Sequence, residues 1–245
     1  MVVTHVDTAV YWIDLTIEMS VVDDINVADA GSGECDGSAS VDVGIPNVSF
    51  DFIGEVAMYC VGVLIALAFL DYFFARQWKG RYFVLHTFVN LVISVAVLPD
   101  VYNIVFDPLE TLRQTTCWSF PTGACLAIHF YHMLAPGFVL YSVDWLHHIL
   151  MIVLGCPAIV MGQVGPLMNF NYFFICGVPG GIDYFMLAMV KQRLMLPLTE
   201  KKHNNTIQVW VRGPALAIIA ALCYIQLYIH ADHYGSVPLH LVVRT

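Results

Sequence analysis

Charge is what this sequence has least of. Asp, Glu, Lys and Arg make up 12% of its 245 residues, about half the share of an ordinary soluble domain. Hydrophobic residues reach 59% and the mean hydropathy is +0.73. So little charge excludes a disordered chain and a basic nucleic-acid binder. It makes a polytopic membrane protein the expected class. Positive charge is wholly absent from residues 1–51, which hold ten acids between Asp7 and Asp51 and no Lys or Arg. Residues 52–245 hold the other nine acids and all ten bases, so the net −9 divides into −10 for the head and +1 for the body. That asymmetry is a topology signal more than a ligand signal.

Paired cysteine motifs are also missing. The seven cysteines (35, 60, 117, 125, 156, 176 and 223) contain no CxxC. Five of them lie in apolar runs and are read as packed thiols. A Cys35–Cys117 bridge would require both to face an oxidising lumen. The first 25 or so residues lack a basic region followed by a compact apolar stretch, the pattern of a cleaved signal peptide. No internal repeat is visible.

What the sequence does have is apolar runs. A helix needs about 20 apolar residues to cross the hydrocarbon. Beyond a Gly- and Ser-rich linker at 31–40, six runs approach or exceed that length: Phe52–Phe74, Tyr82–Leu98, Pro121–Tyr141, Trp145–Met161, Pro166–Val190 and Thr206–Ile229. The expectation is an all-α, polytopic membrane helical bundle of about six spans. Its segments are an acidic lumenal or external head (1–51), a first span with a basic loop (52–80), a helical bundle (81–236) and a short tail (237–245). The fifth run is interrupted by Pro179, Gly180 and Gly181, so a broken helix is expected there, facing protein or a wet cavity. Arg76, Lys79 and Arg81 follow run one; Lys191, Arg193, Lys201 and Lys202 follow run five. If run five is one broken span, both basic loops share a side, which the positive-inside rule makes cytosolic. Two spans within 166–190 would separate them.

Ionisable groups inside such runs are expensive and default to function. Asp144, His147 and His148 open run four, and spacings of three and four put the acid on a face with both histidines. A carboxylate beside imidazole fixes the tautomer and raises basicity; the alternative is a helix cap in the headgroup zone. His129 and His132 form an HxxH on run three. His86 and Asn90 are an i,i+4 pair on run two, read as interhelical packing or lipid contact. Asp183 follows the Pro-Gly-Gly break, either as a cap for a helix resuming at Ile182 or as a cavity-facing acid.

These residues carry a resemblance. Asp144-Trp-Leu-His-His148, Phe173 through Tyr184 with Pro179-Gly180-Gly181 and Asp183, Arg81 to His86 and Asn90, and Trp210-Val-Arg212 are together similar to the TLC domain. The similarity runs over roughly residues 81–236. It is closer to the non-synthase members of that family than to ceramide synthases: Met151 stands where the synthases carry a threonine, and the Pro-Gly-Gly replaces their His-Asp.

The resemblance implies a bundle around a central lipid-sized cavity, with His147, His148 and Asp183 as catalytic candidates. It implies Asp144, His129, His132, His86 and Asn90 as lipid-contacting residues. The functional expectation is a membrane protein that binds lipid and affects lipid composition, with His-dependent N-acyl transfer as its reaction if it is an enzyme. Acyl-CoA would then be a substrate; no metal or cofactor is expected. Expected partners are membrane lipids, not nucleic acid, in the endoplasmic reticulum or another organelle membrane. The alternatives are an accessory subunit of a larger membrane complex, or a histidine-rich metal-dependent lipid oxygenase.

Overall fold

The computed structural model describes residues 50–155 and 165–230. The acidic head up to residue 49, the tail, Cys35, Cys156 and His233 lie outside the described residues. Every regular element among those described is helical. The helices are α1 (Phe50–Phe73), α2 (Arg81–Ala96), α3 (Leu98–Phe106), α4 (Pro108–Leu112), α5 (Phe120–Leu134), α6 (Ser142–Leu150), α7 (Pro166–Tyr172), α8 (Val178–Lys191), α9 (Pro197–Ile207) and α10 (Gly213–Ile229).

Three stretches are long and apolar enough to cross a membrane: Asp51–Phe73, Pro166–Lys191 and Pro197–Ile229. A fourth is reached if α2 and α3, bent by 46° at Val97, form one span. Pro99 sits in the first turn of α3, where its missing N–H is tolerated. α1 and α10 are apolar almost all round yet largely exposed; α10 shows Ile218, Leu227 and Tyr228 to the outside. An apolar helix that is not covered by protein is one that lipid covers. Expected runs three and four are shorter than anticipated. Run three ends as a helix at Leu134, where Pro136 and Gly137 (φ 87°) turn the chain. Run four is α6 plus one π-helical turn to Gly155; its expected remainder lies outside the described residues.

The expected break at Pro179 is absent, and so is a helix start at Ile182. Pro166–Lys191 runs continuously, with Asp183 mid-helix and not at a cap. The relief comes earlier, as a π-turn at Phe173–Gly177 closed by the Val178 N–H on the Phe173 carbonyl. A proline cannot donate and collides with the carbonyl four residues back; widening the preceding turn removes both problems. The last span repeats the device. A π-turn at Gln208–Arg212, closed by Gly213 on Gln208, precedes Pro214.

Because run five is a single helix, the two basic loops meet. Gln192 Nε2 donates to the Lys79 carbonyl at 2.7 Å, and a Cβ on Gly80 would lie 2.8 Å from Lys191. At the other end, α4 joins the end of α10: Gln226 donates to the Leu112 carbonyl at 3.2 Å, and His230 donates to the same oxygen at 3.0 Å.

The core lies where α1, α2 and α5 converge, around Leu67, Leu85, Ile93, Ala127 and Ile128. α1 and α5 touch closely at Gly123, where a Cβ would sit 2.7 Å from Tyr59 and 2.9 Å from the Val56 carbonyl. Between these helices lies a cavity of about 180 Å³ lined by Leu67, Leu70, Phe88, Val92 and Ala124 among others. Small-molecule sites start at roughly 300 Å³, so this cavity is smaller than the lipid-sized one expected. The described residues contain no disulfide. Cys117, in the loop before α5, is pushed up to about 12 by burial and by the Asp100 carboxylate, so its thiol stays protonated.

Candidate functional site: a buried histidine cluster

Five of the histidines come together. His86 enters from α2, His129 and His132 from α5, and His147 and His148 from α6. Adjacent imidazole pairs lie 4.5 to 6.1 Å apart between ring centroids. His86, His129, His132 and His148 are buried, with His148 at 0% exposure. His147 is exposed at the edge of the bundle. Successive helical residues point about 100° apart, so the His-His pair on α6 sends one ring inward and leaves the other at the surface.

Local backbone bonds set two tautomers. His129 Nδ1 is 2.6 Å from the Cys125 carbonyl, and His148 Nδ1 is 2.5 Å from the Asp144 carbonyl. A carbonyl only accepts, so each Nδ1 carries the proton and each Nε2 is a free lone pair. His129 Nε2 faces His147 Nε2 at 3.4 Å. With the His129 lone pair fixed, His147 is the donor and its Nδ1 is left as a base. Asp144 holds the start of α6 by accepting the Tyr141 N–H at 3.0 Å. The capping role and proximity to the histidines are thus both present.

Two tyrosines seal the cluster. Tyr82 lies 4.1 Å from the His132 ring and 4.7 Å from His86, and Tyr184 stacks on His86 at 4.2 Å and 11°. Their own rings lie 6.1 Å apart, edge to face. Four imidazole nitrogens inside this shell have no hydrogen-bond partner among the described residues: His86 Nε2, both nitrogens of His132 and His148 Nε2. Buried polar atoms are almost always paired, so four orphans in one place mark the cluster.

The other sequence candidates separate from it. Asp183 and Tyr184 are neighbours in sequence, but only Tyr184 reaches the histidines. The charged neighbours of Asp183 are Glu200 and Arg212, across the turn to α9. Arg212 donates to Gln208 Oε1 at 3.0 Å. Asn90 is buried beside Gly180 of α8, where a Cβ would meet its Nδ2 at 3.1 Å, so it acts as a helix-packing group.

Sequence reasoning missed Asp71 and Glu200, both nearly fully buried. Asp71 stands near the end of an apolar run, and an acid inside such a run is itself the signal. It accepts a two-point ion pair from Arg81 and a 2.7 Å hydrogen bond from Tyr131.

These features define a helical membrane protein with a polyhistidine centre buried between α2, α5 and α6. Searches against family models, curated proteins and solved structures find no match to this chain.

Proposed function

We propose that the protein is a lipid-handling membrane protein that transfers an acyl group through its histidine cluster, in keeping with the resemblance of its motifs to the TLC domain. The observation that carries this reading is the His129–His147 pair at 3.4 Å, anchored at one end by the Cys125 carbonyl and open to the bundle surface at the other. A nucleophile that loses its proton to His147 Nδ1, driving the Nε2 proton on to His129, would attack the thioester carbonyl; the C–S bond breaks and the coenzyme A thiolate leaves, taking the proton back from the pair. A two-histidine relay of this kind is general-base machinery. The attacking amine or hydroxyl would approach from the lipid side, where His147 is accessible. The apolar cavity between α1, α2 and α5 has room for part of a chain.

The position of the cluster supports an activated acyl donor from the aqueous side. His86 follows Arg81 by five residues, so it lies about 7.5 Å further along the helix. Lys79 and Lys191 gather at that end, beside an Arg81 already paired with Asp71. Cations of this kind suit the phosphates of a coenzyme A thioester. The orientation rests on parity. With α2 and α3 counted as one bent span, runs three and four preserve the sidedness of the later spans whether both cross or neither does, which favours cytosolic basic loops and a lumenal or external acidic head. The endoplasmic reticulum, or another organelle membrane, is the location this reading favours.

The test is acyl transfer from a radiolabelled acyl-CoA to lipid amines and hydroxyls in detergent-solubilised, full-length protein. His147→Ala is expected to lower the rate by about 100-fold or more with the elution profile unchanged. Transfer that survives His147→Ala, or that the wild type never shows with any acceptor, overturns the assignment.

A further inference from the structure

We propose that His86, His132 and His148 form a zinc site, an assignment independent of whether the neighbouring pair transfers acyl groups. One nitrogen from each ring can be chosen so that all three lie within 4.8 Å of one another. The three side chains come from three different helices and are 0–3% exposed. The nitrogens available are imidazole nitrogens with no hydrogen-bond partner among the described residues: His86 Nε2, His148 Nε2 and either nitrogen of His132.

His148 has the form of a metal-ligating histidine. Its Nδ1–H is committed to the Asp144 carbonyl at 2.5 Å, which fixes the tautomer and aims the Nε2 lone pair inward. Imidazole suits zinc, copper, nickel and iron, and three histidines with a fourth position left to water or substrate is the pattern of open zinc sites. Zinc–nitrogen bonds of about 2.0–2.1 Å in a tetrahedron bring ligand atoms to roughly 3.4 Å apart. Loading therefore draws the three rings together by about an ångström relative to this structure.

The surrounding charges are consistent with a cation. Asp144 is the acid whose field reaches Tyr82, Tyr184, His147 and His148. Arg81, whose positive charge reaches His132, is neutralised by Asp71. His129 and His147 satisfy each other and Cys125, so they stay outside the ligand set.

The experiment uses the full chain in detergent, stripped with a chelator and then equilibrated with micromolar Zn²⁺ or Co²⁺ alone. Wild type is expected to bind about one zinc per chain and to give the intense visible absorption of four-coordinate cobalt. His132→Gln and His148→Gln are each expected to weaken zinc at least roughly 100-fold, whereas His129→Gln retains the stoichiometry. Where a triad variant fails to elute as folded protein, X-ray absorption of zinc-loaded wild type decides, and three imidazole shells are expected. A wild type that stays metal-free, a folded His132→Gln that keeps its zinc, or an absorption spectrum with fewer than three imidazoles each overturns the site.

Discussion

Two polar groups sit within a turn or two of each other on the α2–α5 seam, one against α1 and the other against α6, and they are built on opposite terms. At Asp71 everything is paired. The carboxylate takes both ends of the Arg81 guanidinium and the Tyr131 hydroxyl, while Arg81 also donates to the Pro136 carbonyl at 3.3 Å and lies 4.2 Å over the Phe138 ring. In the histidine cluster four nitrogens are buried and unpaired among the described residues. A closed network ties the α1–α2 turn to the end of α5. An open one holds unsatisfied ligand capacity, which is worth its cost only where something is to be bound or moved.

The largest effect is expected at the closed end. Asp71→Ala leaves Arg81 partly buried without its counter-ion. Removing one partner of a buried pair costs about 3–5 kcal/mol. The unfolding midpoint of the detergent-solubilised protein should fall far more than for any histidine variant. An unchanged midpoint would show that Arg81 simply turns to solvent and that the network is not closed. A step smaller is Gly123→Ala. Its Cβ meets Tyr59 and the Val56 carbonyl at under 3 Å, and forcing α1 from α5 costs about 1–3 kcal/mol. The loss should be shared by both regions, since α5 carries Tyr131 and His129 alike. A mutant as stable as wild type would mean that the helices are not in contact there.

Next comes Tyr131→Phe, which deletes one hydrogen bond to Asp71 and leaves the ring. The expected loss is about 1 kcal/mol, visible as a small drop in the same midpoint. A loss as large as that of Asp71→Ala would make the tyrosine, and not the arginine, the main partner.

How much of this is legible in the sequence depends on helical phase. The apolar runs and the ionisable residues inside them can be read, because composition alone says where polar groups are costly. Their partners cannot. His147 and His148 look equivalent in sequence; only the docking of α6 on α5 turns His148 inward and leaves His147 at the edge. The same hundred-degree step separates Asp183 from Tyr184, so the acid expected to join the histidines faces Glu200 and Arg212. Pro179 misleads for a related reason. It signals a broken helix, but the strain is relieved just upstream by a π-turn that no residue type announces. Asp71 escapes notice because its ion-pair partner reads as a loop charge that sets topology.

The smallest expected effect is the most informative. His132→Phe keeps the ring and removes two nitrogens that have no partner among the described residues. Replacing unpaired polar atoms by apolar ones of the same shape is close to neutral, so in chelator-treated protein the midpoint should move by less than about 1 kcal/mol equivalent. With zinc present the outcome should split. A ligand held only by the folded state stabilises it by RT ln(1 + [L]/Kd), about 2.7 kcal/mol at a hundredfold excess over Kd. Wild type should therefore gain that increment and His132→Phe should not. If wild type and variant respond alike to zinc, the orphan nitrogens are not a binding site, and the difference between the two regions is only one of packing. If His132→Phe is strongly destabilised without metal, its nitrogens had partners after all, and the cluster is as closed as the network at Asp71.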